Sequence, residues 1–85
     1  MIVAKAADEL LNISGISVSF VLGRVGNDIY ISGRSLGDIN VQIVLESLGG
    51  GGHMNIAGAK VSNTTVDEVV IRLKESIEKY LRIGE

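Results

Sequence analysis

Four consecutive glycines, Gly49 to Gly52, run directly into the chain's one histidine, His53, and then through Met54, Asn55 and Ile56 to the small residues Ala57, Gly58 and Ala59. Glycine loses more backbone freedom on folding than any other residue, so a run of four inside a folded domain needs a reason. Without Cβ atoms the backbone can take positive φ and a ligand can approach the amides closely. Successive N–H groups in such a turn also form a concavity that suits an anion. His53 adds a side-chain donor for a phosphate oxygen at the end of the run. The plainer alternative is a helix stop at Gly49 followed by a simple connection, with His53 at the surface.

The remaining residues limit what can surround this run. A chain of 85 residues makes one domain with a small core. With 46% hydrophobic and 21% charged residues and no Pro, the composition is that of a folded domain; one Phe, two Tyr and no Trp leave the core to aliphatic side chains. A net charge of −2 and the lack of any Lys or Arg run argue against long nucleic acid as a partner. There is no Cys, hence no disulfide framework and no thiolate site, as fits a reducing compartment. The apolar runs are too short to span a bilayer, and Asp8 and Glu9 interrupt Met1 to Leu11 as a signal peptide. A cytoplasmic domain with no direct membrane contact is the expectation.

Hydrophobic periodicity supplies the elements. Val3, Ala6, Ala7, Leu10 and Leu11 recur at helical spacing before Gly15. Ile16, Val18, Phe20 and Leu22 alternate with Ser17 and Ser19 as in a half-buried strand, and Gly26-Asn27-Asp28 turns the chain into a second strand over Ile29 to Ser35. On that strand Ile29 and Ile31 share one face while Tyr30, Ser32 and Arg34 share the other. Asp38 or Asn40 can cap a helix carrying Val41, Val44, Leu45 and Leu48 that ends at Gly49. Ala57 to Ser62 reads as one more short strand. Val66, Val69, Val70, Leu73, Ile77, Tyr80 and Leu81 then form a long helical stripe, with Thr65 and Glu68 at capping-box spacing. The predicted fold is α/β of the α+β kind: one domain over residues 1–85, a small mixed β-sheet packed by about three helices, in the order helix, hairpin, helix, glycine loop, strand, helix.

Familiar phosphate loops do not fit the glycines. A P-loop starting at Gly49 would need Gly, Lys and Ser or Thr where Met54, Asn55 and Ile56 stand, and a dinucleotide fingerprint starting at Gly50 finds Asn55 where its third glycine belongs. One His, no Cys and no acid within several residues of His53 offer no metal centre in this chain. Ser35 is the nearest nucleophile by pattern, but no acid is indicated to orient His53 in a triad. No catalytic residue and no cofactor of its own are expected here.

Ser32-Gly33-Arg34-Ser35, Asp38-Ile39-Asn40-Val41, and Gly49-Gly50-Gly51-Gly52-His53 followed by Ala57-Gly58 resemble the DHH-associated domain of DHH phosphoesterases. The resemblance runs from about Ala4 to the C-terminus, and the stretch Ser35 to Val41 looks most like the cyclic di-AMP phosphodiesterase branch. It implies a fragment of a larger parent whose N-terminal DHH domain carries manganese, with a nucleotide or dinucleotide substrate between the two domains. Parents in that branch are usually anchored in the bacterial membrane with this part in the cytoplasm. Carried onto this sequence, the substrate-binding residues are Arg34, Ser35, Gly50, Gly51, Gly52 and His53. The Met54 to Lys60 stretch departs toward the oligoribonucleotide phosphatase branch, the alternative reading within the superfamily. In the related domain of some alanyl-tRNA synthetases an Arg commonly replaces the His, so His53 argues against that assignment. Outside enzymes, the same glycine loop would fit a stand-alone nucleotide-binding module or a tight structural turn.

Overall fold

The structure, a computed structural model, describes residues 17–83. The helix expected over Val3 to Leu11 lies outside the described residues. Within them, strands β1 (Val18–Val25) and β2 (Asp28–Ser35) form a hairpin, followed by helix α1 (Val41–Glu46), the two-residue strand β3 (Gly51–Gly52), strand β4 (Ile56–Ser62) and helix α2 (Val66–Ile83). The strands order β1-β2-β4-β3. Every pairing among them is antiparallel, so the α+β class stands while the expected mixed sheet is corrected to an antiparallel one. β4 runs antiparallel to β2, and β3 folds back on β4 as a hairpin arm where the sequence suggested only a loop.

Local chemistry explains each element. Val25 pairs with Asp28 across the two-residue turn Gly26-Asn27, and Gly26 at φ +62° supplies the positive angle that a tight hairpin of this length needs at its first central position. Asn40, not Asp38, caps α1: its Oδ1 accepts from the Ile43 amide at 3.1 Å. The Thr65 hydroxyl does the same for the Glu68 amide at 3.1 Å, as the capping-box spacing predicts. No helix among the described residues is long and apolar enough to cross a membrane.

Both helices contribute to a single core on one face of the sheet. Ile29 and Ile31 from β2, Ala57, Ala59 and Val61 from β4, Val41, Val44 and Leu45 from α1, Leu48, and Val69 and Leu73 from α2 form it, with Val18, Phe20 and Leu22 of β1 packed at its side. Side chains of this size contribute about 1.5–3 kcal/mol each when fully buried. Gly33, central in β2, lets the Phe20 ring and Leu45 close over it: a Cβ there would sit 3.0 Å from the ring and 3.2 Å from Leu45 Cδ1. The α2 stripe is narrower than its sequence pattern, because Val66 and Leu81 remain exposed while Val69, Leu73, Ile77 and Tyr80 pack inward.

Tyr80 ties α2 to the connection ahead of α1. Its phenol oxygen accepts from the Asn40 amide at 2.9 Å, and its hydroxyl donates to Asp38 O at 3.3 Å. Tyr80→Phe leaves both groups to water and should cost about 1 kcal/mol. For a domain of this size, thermal unfolding should then come about 4–8 °C lower.

Candidate functional site

The four glycines do different jobs. Gly49, at φ +83°, ends the helical segment: its amide donates to Glu46 O at 3.0 Å and the next amide, Gly50, to Leu45 O at 2.9 Å, the pair of bonds that defines a Schellman stop. At Gly50 a Cβ would lie 2.3 Å from Gly58 O and 2.6 Å from Ala59 Cβ, so this residue must be glycine for β3 to reach β4. Gly52, at φ +145°, would press a Cβ to within 2.5 Å of Ile56 O. Gly51 differs from all three. It has no positive φ, and a Cβ on it would meet nothing within 4 Å. Positive φ is therefore not the reason for a glycine at Gly51, where the fold leaves room for a Cβ.

The amide concavity expected from the run is corrected as well. Gly49 and Gly50 spend their N–H groups on α1, and His53 donates its own to Ile56 O at 2.6 Å. His53 and Ile56 exchange bonds in both directions, so ladder alternation makes Gly51 and Gly58 the next bonded pair and turns the Gly52 N–H toward the sheet's outer edge. The loop offers a bare surface in place of a nest of donors.

Register brings Arg34, Gly51 and His53 together on the sheet face away from the core. Ser19, Arg34 and Ile56 pair across three strands, and His53 continues that line opposite Ile56. The next line on the same face is Val21, Ser32, Gly58 and Gly51, and the next is Gly23, Tyr30 and Lys60. Arg34 and His53 stand two strand spacings apart, about 10 Å between backbones. His53 is exposed and Arg34 half-buried, with Nη1 of Arg34 donating to Gly33 O at 2.9 Å.

Ser35 is placed differently from the expectation. It is 4% exposed and on the core side; its hydroxyl donates to Ile39 O at 2.6 Å and accepts from Asn55 Nδ2 at 3.0 Å, while its amide donates to Asn55 O at 3.0 Å. A buried hydroxyl so engaged does not face a ligand. It fixes the Met54-Asn55 turn that carries His53, assisted by the α1 amide of Val41, which donates to Met54 O at 2.9 Å. Asn55 is thus a positioning residue that sequence reasoning missed, since its partners Ser35 and Gly37 are far away along the chain.

Also missed was the groove of about 430 Å³ beside this row, lined by Tyr30, Ser32, Gly51, Gly58 and Lys60. Its size is within the range of small-molecule clefts. A second groove of about 460 Å³ lies between the end of α1 and α2, where Arg72, Lys79 and Arg82 alternate with Glu75 and Glu78. No predicted site residue lines it. Among the described residues no group of three His, Cys, Asp or Glu side chains could hold a metal ion, so they do not fit manganese.

Gly50→Ala and Gly51→Ala separate the roles of neighbouring glycines. The first forces backbone against backbone and should lower the melting temperature by more than about 5 °C, as overpacking costs about 1–3 kcal/mol. The second should leave it unchanged or raise it by a few degrees, because alanine loses less entropy in a strand. Differential scanning calorimetry on the two variants checks the assignment.

Residues 1–82 match the DHHA1 domain. The whole chain is 45% identical to part of the cyclic-di-AMP phosphodiesterase GdpP of Geobacillus thermodenitrificans, covering 13% of that protein. Over 99% of its length it is 42% identical to the protein of the same name from Bacillus subtilis, again 13% of the relative. The chain therefore spans about an eighth of these curated relatives. The crystal structure of an exopolyphosphatase-related protein from Bacteroides fragilis superimposes with a TM-score of 0.76 at 29% identity, over 91% of this chain and 23% of the other. With an antiparallel sheet, a Gly-Gly-Gly-Gly-His arm folded onto it and a family match over nearly every residue, this chain belongs to the DHHA1 domain family.

Proposed function

We propose that this domain holds the substrate of a DHH phosphodiesterase that hydrolyses cyclic di-AMP, with manganese carried by another part of the parent protein. The observation that carries the reading is the row on the outer sheet face, where Arg34 and His53 lie on one line two strand spacings apart beside the bare Gly51. The names of the relatives supply the substrate class: both are cyclic-di-AMP phosphodiesterases.

In this reading the chain's residues bind and orient. The guanidinium of Arg34 presents charge-assisted N–H donors to a phosphate. The imidazole of His53 donates to the same group from the other side, at the end of an arm held rigid by Gly52, Asn55 and Ser35. Donors fixed before substrate arrives need no reorganisation as negative charge builds on the phosphorus oxygens, so they stabilise the transition state more than the ground state. The parent's DHH domain faces this surface and supplies the attacking water. The domain works in the cytoplasm, and the parent is anchored in the membrane.

His53→Ala and Arg34→Ala in the complete enzyme each remove a charge-assisted hydrogen bond of roughly 1.5–3 kcal/mol, so kcat/KM for cyclic di-AMP should fall about 10- to 150-fold. Metal content and melting temperature should be unchanged, because neither side chain belongs to the core. Near-normal kcat/KM in either variant removes that residue from the site.

A further inference from the structure

His53 is exposed, so no core side chains surround its imidazole, and its direction follows from the backbone turn Met54-Asn55 that carries it. One side of this turn is joined to β4 by the bonds that His53 and Ile56 exchange. Its other bonds run to the connection between β2 and α1 and to the two ends of that connection. Asn55 Nδ2 donates to Gly37 O at 3.2 Å and to the Ser35 hydroxyl at 3.0 Å, and the Val41 amide donates to Met54 O at 2.9 Å. The imidazole is therefore placed no better than this connection is.

Burial does little to hold the connection, since Leu36, Gly37 and Asp38 are exposed. Its middle is gripped from the far end of α2. The Tyr80 hydroxyl accepts from the Asn40 amide at 2.9 Å and donates to Asp38 O at 3.3 Å, while the Tyr80 ring packs against the core. Each gripped residue is the chain neighbour of one that bonds the His53 turn: Asp38 follows Gly37, and Asn40 precedes Val41. Peptide units are planar and rigid, so a shift at Asp38 or Asn40 reaches Gly37 O or the Val41 amide across a single pair of dihedral angles. The core needs only the ring, whose volume a phenylalanine would fill. The hydroxyl adds the grip alone.

We infer that Tyr80 is a positioning residue for the substrate site: from the helical layer its hydroxyl sets the connection ahead of α1, and through it the turn that aims His53. The inference rests on His53 holding substrate and adds the residue that fixes its aim from the opposite face of the sheet. Without the hydroxyl the ring and the core stay in place, but the connection is freed to move. A donor out of line loses most where charge builds up in the transition state, so the loss falls on kcat more than on KM.

The test is a double-mutant cycle on cyclic di-AMP hydrolysis by the complete enzyme, with Tyr80→Phe and His53→Ala made singly and together and Thr65→Ala as a stability control. Thr65→Ala removes the hydroxyl that caps α2 and should lower the melting temperature about as much as Tyr80→Phe, without touching the connection. Tyr80→Phe should lower kcat about fivefold and leave KM within about twofold, and Thr65→Ala should change neither. In the His53→Ala background Tyr80→Phe should have no further effect. A loss that persists undiminished in that background, an equal loss in Thr65→Ala, or normal kcat in Tyr80→Phe beside a reduced kcat/KM in His53→Ala would each overturn the positioning role while leaving the substrate reading intact. Normal kcat/KM in His53→Ala itself overturns both.

Discussion

The structure depends on backbone packed directly against backbone. With one Phe and no Trp, the sheet is not extended past β4 by interlocking aromatic residues. It is extended by removing side chains: Gly50 lies against Gly58 O and Ala59, and Gly52 against Ile56 O and Ala57, at separations that no Cβ could occupy. This approach pulls the end of α1 onto the sheet, adds β3 as its edge, and delivers His53 to the line that already holds Arg34. Loosening it would cost more than one strand pairing, since the α1 stop, the β3–β4 hairpin and the position of the imidazole all follow from it.

A second, polar constraint acts at the far end of the same arm. Ser35 and Asn55 share two hydrogen bonds, from Asn55 Nδ2 to the Ser35 hydroxyl and from the Ser35 amide to Asn55 O; the hydroxyl also donates to Ile39 O, and Val41 adds a bond to Met54 O. The Ser35 hydroxyl is buried and fully used, which is the condition under which a buried polar group stabilises a unique arrangement. Function is then divided along the sheet's two faces. Residues at odd positions of β2 build the core and the turn, and those at even positions, Tyr30, Ser32 and Arg34, lie on the face away from the core.

Much of this was legible in the sequence because it follows from short-range periodicity. The hairpin turn at Gly26, the Thr65 cap, the alternation that turns Arg34 away from Ile29 and Ile31, and the α1 and α2 stripes all arise within a few residues of chain. What was illegible depends on partners distant in sequence. Four glycines look alike in a string, yet one ends a helix, two make room for β4 and one is bare without steric need. β3 could not be seen as a strand because glycines carry no alternating pattern. Ser35 read as a ligand contact beside Arg34, and only its neighbours Ile39 and Asn55 show it to be a structural pin. The groove at Tyr30 and Lys60 required the β2–β4 register, which no local signal specifies.

The most direct measurement is a crystal structure of the complete protein with a non-cleavable cyclic di-AMP analogue bound. The account predicts that the analogue lies on the outer face of the sheet, with a phosphate oxygen within hydrogen-bond distance, about 2.7–3.2 Å, of both Arg34 and His53 and with Gly51 in van der Waals contact. An analogue seated in the groove between α1 and α2, or one that leaves both Arg34 and His53 without a ligand contact, would contradict it.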